Sequence, residues 1–274
     1  MHPLHHPGLT ALYVYSEYLL QVLEPLCQRR AHLLSQWNFH CCCPRCLDTS
    51  AAGSLAALVC LSCKDVILPP SVIEEAGSWQ CQGCQVTITD KEAEARLEKV
   101  TATLNKVSKS DVKKLESFLG AAQCVLHPRN SLLLGVKRNL FGLYGSAPGY
   151  SQAELSEVQV TRKLMLGEEY LEAVGRVDPG LTRWRGQILY EMNKFKIVKI
   201  MQALQKRQIG IESFLEQATI IVKELEEAVA GMTGERVEMR GNLKARLVML
   251  SKTEVLGQGY AQLLGMIVKL PFIS

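Results

Sequence analysis

The sequence predicts a mainly α fold, in which a small metal-stabilised irregular segment precedes an antiparallel array of helices. Three observations carry that expectation. Eight of the ten cysteines fall between Cys41 and Cys84. The same stretch is punctuated by Gly53, Pro69, Pro70, Gly77 and Gly83 and has no long periodic run, so it cannot build much apolar core of its own. From about residue 91 onward, apolar side chains recur instead at helical spacing.

Composition narrows the class further. The chain has 274 residues, 47% of them hydrophobic, with a mean hydropathy of +0.05, which is globular rather than disordered composition. A net charge of +4 is far from the strongly basic signature of a nucleic-acid binder. Aromatic residues are only 6%, and a nucleic-acid reading would rest only on Arg29, Arg30, Arg45 and the cysteine knuckles. Nucleic acid is therefore disfavoured as a partner. The opening MHPLHHPGLT lacks the basic and apolar regions of a secretory signal, and its histidines and prolines fix no coordination geometry. No run of about 18 apolar residues occurs; LLGMIVKLPFI is interrupted by Lys269 and Pro271. The expectation is an intracellular protein of the cytoplasm and/or nucleus, with no membrane partner and with cysteines used for metal rather than disulfides.

Three zones follow, at residues 1–38, 39–90 and 91–274. In the first, Leu20, Val22, Leu23, Leu26, Cys27, Leu33 and Leu34 suit a helix interrupted near Pro25. In the third, Leu97, Val100, Leu104 and Val107 mark one helix, and Ser110 reads as the N-cap of the next, over DVKKLESFLGAAQCVL. After His127-Pro128 another helix runs through Leu140 and ends near Gly142 to Gly149. Leu155, Val158, Leu164, Leu171 and Val174 form a broad apolar stripe. Asp178-Pro179-Gly180 starts a helix facing inward with Ile188, Leu189, Met192, Phe195 and Met201. A last one, from Glu212 to Val229, carries Phe214, Leu215, Ala218, Val222, Leu225 and Val229. Such successive helices imply a TPR-like antiparallel array with no strict repeat period. Cys27 and Cys124, in helical apolar contexts, read as small buried residues.

The chemistry lies in two cysteine clusters. Cys60-Leu-Ser-Cys63 and Cys81-Gln-Gly-Cys84 are two CxxC knuckles separated by seventeen residues. Two residues between cysteines let both thiolates of a knuckle reach one ion, and two knuckles complete a tetrahedral Zn²⁺ site with no open position for catalysis. Gly83 helps the second knuckle turn tightly, and Trp79 is expected to pack over it. The first cluster, Cys41, Cys43 and Cys46, supplies three ligands at good spacing. Cys42 and His40 are badly placed for a fourth, and His32 reads as a partly buried residue, so the fourth ligand is expected from elsewhere.

The run QRRAHLLSQWNFHCCCPRC resembles the post-SET segment of the SET and MYND domain (SMYD) family. LAALVCLSCKDVILPPSVIEEAGSWQCQGC is similar to the second paired-CxxC element of that family's arthropod SmydA-like branch. VLHPRNSLLLGVKRNLFGLYG and VDPGLTRWRGQILYEMNK resemble the branch's helical C-terminal region. The resemblance covers about residues 12 to 205. It implies a protein-lysine methyltransferase that uses S-adenosylmethionine, with a protein-lysine substrate or another protein as partner. It implies zinc at Cys41, Cys43 and Cys46, completed by a cysteine of the SET core, and a cofactor-facing aromatic at Phe39. Tyr15 or Tyr18 falls near the family's active-site tyrosine, which binds the lysine amine. The chain departs from the family in having no Gly-x-Gly near its start, no Asn-His-x-Cys motif and no MYND finger. The expectation is therefore the C-terminal part of such an enzyme, catalytically silent unless a SET core is supplied. The alternative is a zinc-containing interaction module that binds protein in a helical groove.

Overall fold

The computed structural model describes residues 23–39, 54–70, 78–152, 154–177 and 183–233. Among these residues the fold is mainly helical, with one small sheet. The chain divides into two compact units, Met1–Pro179 and Gly180–Ser274.

In the first unit, helix α1 (Leu26–Trp37) starts directly after Pro25, the position where the sequence predicts a break. It stops at Asn38, whose φ of 53° is left-handed and whose N–H donates to the Leu34 carbonyl over 3.0 Å. Asparagine tolerates that conformation better than most residues. Leu34, Trp37 and Phe39 are exposed. His32 is exposed as well, correcting the expectation of partial burial.

The cysteine-rich zone is not irregular throughout. Strands β1 (Leu58–Val59), β2 (Val66–Leu68), β3 (Ser78–Cys81) and β4 (Thr87–Thr89) form an antiparallel meander in the order β1-β2-β3-β4. Each strand is two to four residues long, too short for alternation to register in sequence; cross-strand pairing defines them instead. Ile67, Trp79, Cys81 and Ile88 face inward. The free side of β1 is taken by the chain entering the fourth helix: Val59 N–H donates to the Val125 carbonyl (2.8 Å) and His127 N–H to the Ala57 carbonyl (3.1 Å). Leu55, Leu58, Ile67 and Leu126 are fully buried at this seam.

Four helices follow in the same unit. A reciprocal capping box opens α2 (Asp90–Asn105): Thr89 Oγ1 accepts from Glu92 N–H, and the Glu92 carboxylate accepts from Thr89 N–H. The Trp79 indole N–H donates to Asp90 Oδ1 over 2.7 Å, tying β3 to the first turn of α2. The next helix, α3 (Val112–Ala122), is capped by Asp111 rather than Ser110. The Asp111 carboxylate accepts from Lys114 N–H, and the bond holds its pKa below the usual carboxylate range, whereas the Ser110 hydroxyl pairs with Ser108. Helices α4 (Ser131–Leu143) and α5 (Glu157–Val177) pack in sequence against it, burying Leu115, Leu119, Leu133, Leu134, Leu140, Leu166, Tyr170 and Val174. Val158, predicted on the buried stripe, is 79% exposed. It lies two turns from exposed Met165 on the same side of α5, while Leu155 precedes the helix.

Polar groups bind these helices together at a few places. The Glu116 carboxylate accepts from the Tyr144 hydroxyl (3.0 Å) and from both Arg162 Nε and an Arg162 terminal nitrogen (2.9 Å each), linking α3, the end of α4 and α5. Buried Lys137 donates to the Pro128 carbonyl (3.0 Å) and pairs with Glu169 (2.7 Å). A charged ammonium that deep in the fold needs both partners.

In the second unit, α6 (Arg183–Gln205) and α7 (Ile211–Thr233) pack along each other. Arg207, at a φ of 54°, reverses the chain between them, with Gln208 N–H bonded to the Ala203 carbonyl. Ile188, Leu189, Met192, Phe195 and Met201 are buried, as the periodicity predicts, and so are Phe214, Ala218, Val222 and Leu225. Leu215 is half-buried. The Asp178-Pro179-Gly180 turn and the chain after Thr233 lie outside the described residues. No described helix is long and apolar enough to cross a membrane.

Candidate metal centre

In an antiparallel meander the first and third connections lie at the same end of the sheet. Those two connections are the two CxxC knuckles, Cys60–Cys63 between β1 and β2 and Cys81–Cys84 at the turn from β3 to β4. Their backbones repeat one another. Cys60 N–H donates to the Asp65 carbonyl over 2.8 Å, and Cys81 N–H donates to the Val86 carbonyl over 2.9 Å. The residue after each second cysteine is left-handed: Lys64 at a φ of 68° and Gln85 at 60°. A bond from Gln82 N–H to the Val66 carbonyl (2.9 Å) stitches the second knuckle to β2.

The four sulfurs converge. Cys60 Sγ lies 3.6 Å from Cys84 Sγ and Cys63 Sγ lies 3.4 Å from Cys81 Sγ. All four ligand atoms lie within 4.8 Å of one another. A tetrahedron with metal–sulfur bonds of about 2.3 Å has edges of about 3.8 Å, so the cluster is the size that four thiolates around Zn²⁺ need. The donor set fits the ion chemically as well, being four soft ligands with no fifth position. Cys60 and Cys81 are buried, whereas Cys63 and Cys84 are exposed. Crowding separates the thiols' acidities. The amides of Cys63 and Ser62 donate to the Cys60 sulfur and hold it at about 6. The Asp65 amide pulls on Cys63 in the same direction, but contact with the Cys81 thiol, desolvation and the other two cysteines push it up to about 12. A divalent cation removes that mutual opposition by favouring all four thiolates together.

Gly83 acts by close approach rather than by an unusual φ. A Cβ there would lie 2.5 Å from Asp65 Oδ2 and 2.9 Å from Asp65 Cβ, so the bare backbone of the second knuckle lets it close onto the first. The left-handed positions are Lys64 and Gln85 instead.

The centre is anchored to the helices by His127, which the sequence marks as a capping or packing residue, and by Asn130, which the sequence reading does not single out. Asn130 is the N-cap of α4, its Oδ1 accepting from Leu132 N–H over 3.0 Å. Its Nδ2 donates to the Ala57 carbonyl over 3.1 Å, the residue before β1, and Asn130 is almost wholly buried. Asparagine ahead of the apolar run SLLL was a legible cap signal; its second bond is long-range and was not. His127, beside it, is half-buried, and its Nδ1 accepts from Arg129 N–H. Desolvation, with Arg129 and Lys137 nearby, depresses its pKa below the ordinary value of 6.5, against the opposing charge of Asp65.

Tyr15, Tyr18, Cys41, Cys43 and Cys46 lie outside the described residues. Phe39 follows α1 and is 47% exposed. Cys124, expected to be buried, is exposed, because it falls in the turn after α3 rather than on its inner face. Cys27 lies within α1.

Fold and site together define a mainly helical protein carrying a small antiparallel sheet whose two knuckles gather four cysteines able to hold a metal ion, compatible with zinc. No protein-family model matches the chain.

Proposed function

We propose that this chain is the C-terminal part of a SMYD-like protein-lysine methyltransferase, in which one structural Zn²⁺ holds the Cys60, Cys63, Cys81 and Cys84 ribbon against a TPR-like helical array. The observation that carries the reading is the seam between ribbon and helices. The two sequence stretches that bear the resemblance, the paired knuckles and the His127–Asn130 loop, meet there through the bonds of Val59, His127 and Asn130. In this proposal Cys41, Cys43 and Cys46 hold a second zinc with a cysteine of the SET core, and Phe39 faces S-adenosylmethionine. The core supplies the groups that align the sulfonium with the substrate lysine, and without it this chain transfers no methyl group.

A second reading, a protein-interaction module, is favoured by the exposed apolar pair Val158 and Met165 on α5. Transcript mapping separates them: the first reading expects an in-frame upstream segment encoding Gly-x-Gly and Asn-His-x-Cys, and the second needs none. On either reading calorimetry should find no binding of S-adenosylmethionine to the purified chain. Methylation of a histone or peptide panel by that chain would contradict the proposal. So would a transcript that begins at Met1 with no such segment.

A further inference from the structure

All four sulfurs lie within 4.8 Å of one another, and two of their contacts cross between the knuckles, each joining a buried cysteine to an exposed one: Cys60 with Cys84 at 3.6 Å, and Cys81 with Cys63 at 3.4 Å. We propose that the centre is a peroxide-responsive switch that releases its metal by forming the cross-knuckle disulfides Cys60–Cys84 and Cys63–Cys81. The inference rests on the metal-binding part of the reading above and is independent of the methyltransferase assignment.

The chemistry needs only a peroxide, such as hydrogen peroxide, as oxidant. The exposed thiolate of Cys63 or Cys84 attacks one peroxide oxygen. A sulfur–oxygen bond forms, the oxygen–oxygen bond breaks, and the departing hydroxide is protonated to water. The buried partner's thiolate then attacks that sulfenic sulfur; a disulfide forms and the second oxygen leaves as water once protonated. For each pair, two thiolates, one hydrogen peroxide and two protons give one disulfide and two waters. Both sulfurs are oxidised by one electron each and the peroxide is reduced by two. The divalent ion leaves with its oxidation state unchanged.

Geometry favours crossing over closure within a knuckle. Each knuckle is braced by its own backbone, through Cys60 N–H to the Asp65 carbonyl and Cys81 N–H to the Val86 carbonyl, with a left-handed residue behind it. A link within a knuckle, Cys60 to Cys63 or Cys81 to Cys84, would close a loop that these backbone bonds already close. Crossing links instead staple the β1–β2 hairpin to the β3–β4 hairpin, where Ile67 already pairs with Cys81. The oxidised protein therefore loses metal and keeps the sheet, and with it the seam to α4.

The test uses the full chain, with its zinc content measured first. Hydrogen peroxide is added, released zinc is read with a chromogenic chelator, and free thiols are alkylated before non-reducing peptide mapping. The expected result is zinc release in step with Cys60–Cys84 and Cys63–Cys81 linked peptides, while amide exchange at Val59 and His127 stays slow. In Cys84→Ser only the Cys63–Cys81 link should appear. Links within the knuckles, or sulfinate at Cys63 and Cys84 with no crosslink, would overturn the proposal. A chain that holds no zinc before oxidation refutes the metal reading and, with it, this switch.

Discussion

The sheet and the helices of the first unit reach stability by opposite routes. The sheet has strands of two to four residues and buries a handful of side chains, chiefly Leu58, Ile67, Trp79, Cys81 and Ile88. Helices α3 to α5 bury an apolar row along each element, from Leu115 and Leu119 through Leu133, Leu134 and Leu140 to Leu166, Tyr170 and Val174. A ladder that short cannot offset its own ordering entropy, so it leans on the seam to α4, on the Trp79–Asp90 bond and, in the proposed reading, on a metal held by the four cysteines; the helices need no such centre. The difference teaches that a metal at the four-cysteine centre and the helical core would be separable supports within one unit, joined where Asn130 caps α4 and holds Ala57.

The largest effect should come from removing the centre. Structural zinc in small domains contributes on the order of 10 kcal/mol, so Cys81→Ser, or exhaustive chelation, is expected to abolish amide protection across β1 to β4. Most of the far-UV helical signal should remain. If the helices melt along with the sheet, the supports are not separable. The reverse experiment is Leu140→Ala in α4, which opens a cavity at a fully buried site and should cost about 2–5 kcal/mol. Thermal melts should shift accordingly, with bound zinc unchanged.

Asn130→Ala tests the join and should cost about 1–2 kcal/mol, from the lost cap and the lost bond to Ala57. Because it touches both regions, it should lower the helix melting temperature and speed zinc transfer to a competing chelator. An effect on only one of the two would place the coupling elsewhere. The smallest effect concerns His127. Its folded pKa is depressed, so the unfolded chain takes up the proton first. The associated stability is full above pH of about 6.5 and is lost as pH falls towards and through the folded value. Denaturant midpoints between about pH 5 and 7.5 should therefore slope less steeply in His127→Gln than in the parent chain. Equal slopes would show that His127 does not carry the effect.

How much of this was legible follows from what each region depends on. The long helices depend on local periodicity, and Ile188 to Met201 or Phe214 to Leu225 could be read residue by residue. Failures there were at edges. Asp111 displaced Ser110 as a cap because its carboxylate reaches Lys114 N–H, and Val158 entered the helix on the wrong side of its axis. The four cysteines were legible because ligand spacing is local. Their bracing was not: the left-handed Lys64 and Gln85 stand where glycine would announce itself, and the contact between Gly83 and Asp65 crosses from one knuckle to the other. The sheet is not legible for a related reason, since Leu58 and Ile67 pair across the knuckle in strands of two and three residues, too short to show alternation.

The most direct test of the central claim is zinc X-ray absorption on the chain carrying Cys41→Ser, Cys43→Ser and Cys46→Ser, which leaves only the knuckle site. The account predicts one zinc with four sulfur neighbours at about 2.3 Å, lost in a further Cys81→Ser. A shell containing nitrogen or oxygen, or a chain that purifies without stoichiometric metal, would contradict it.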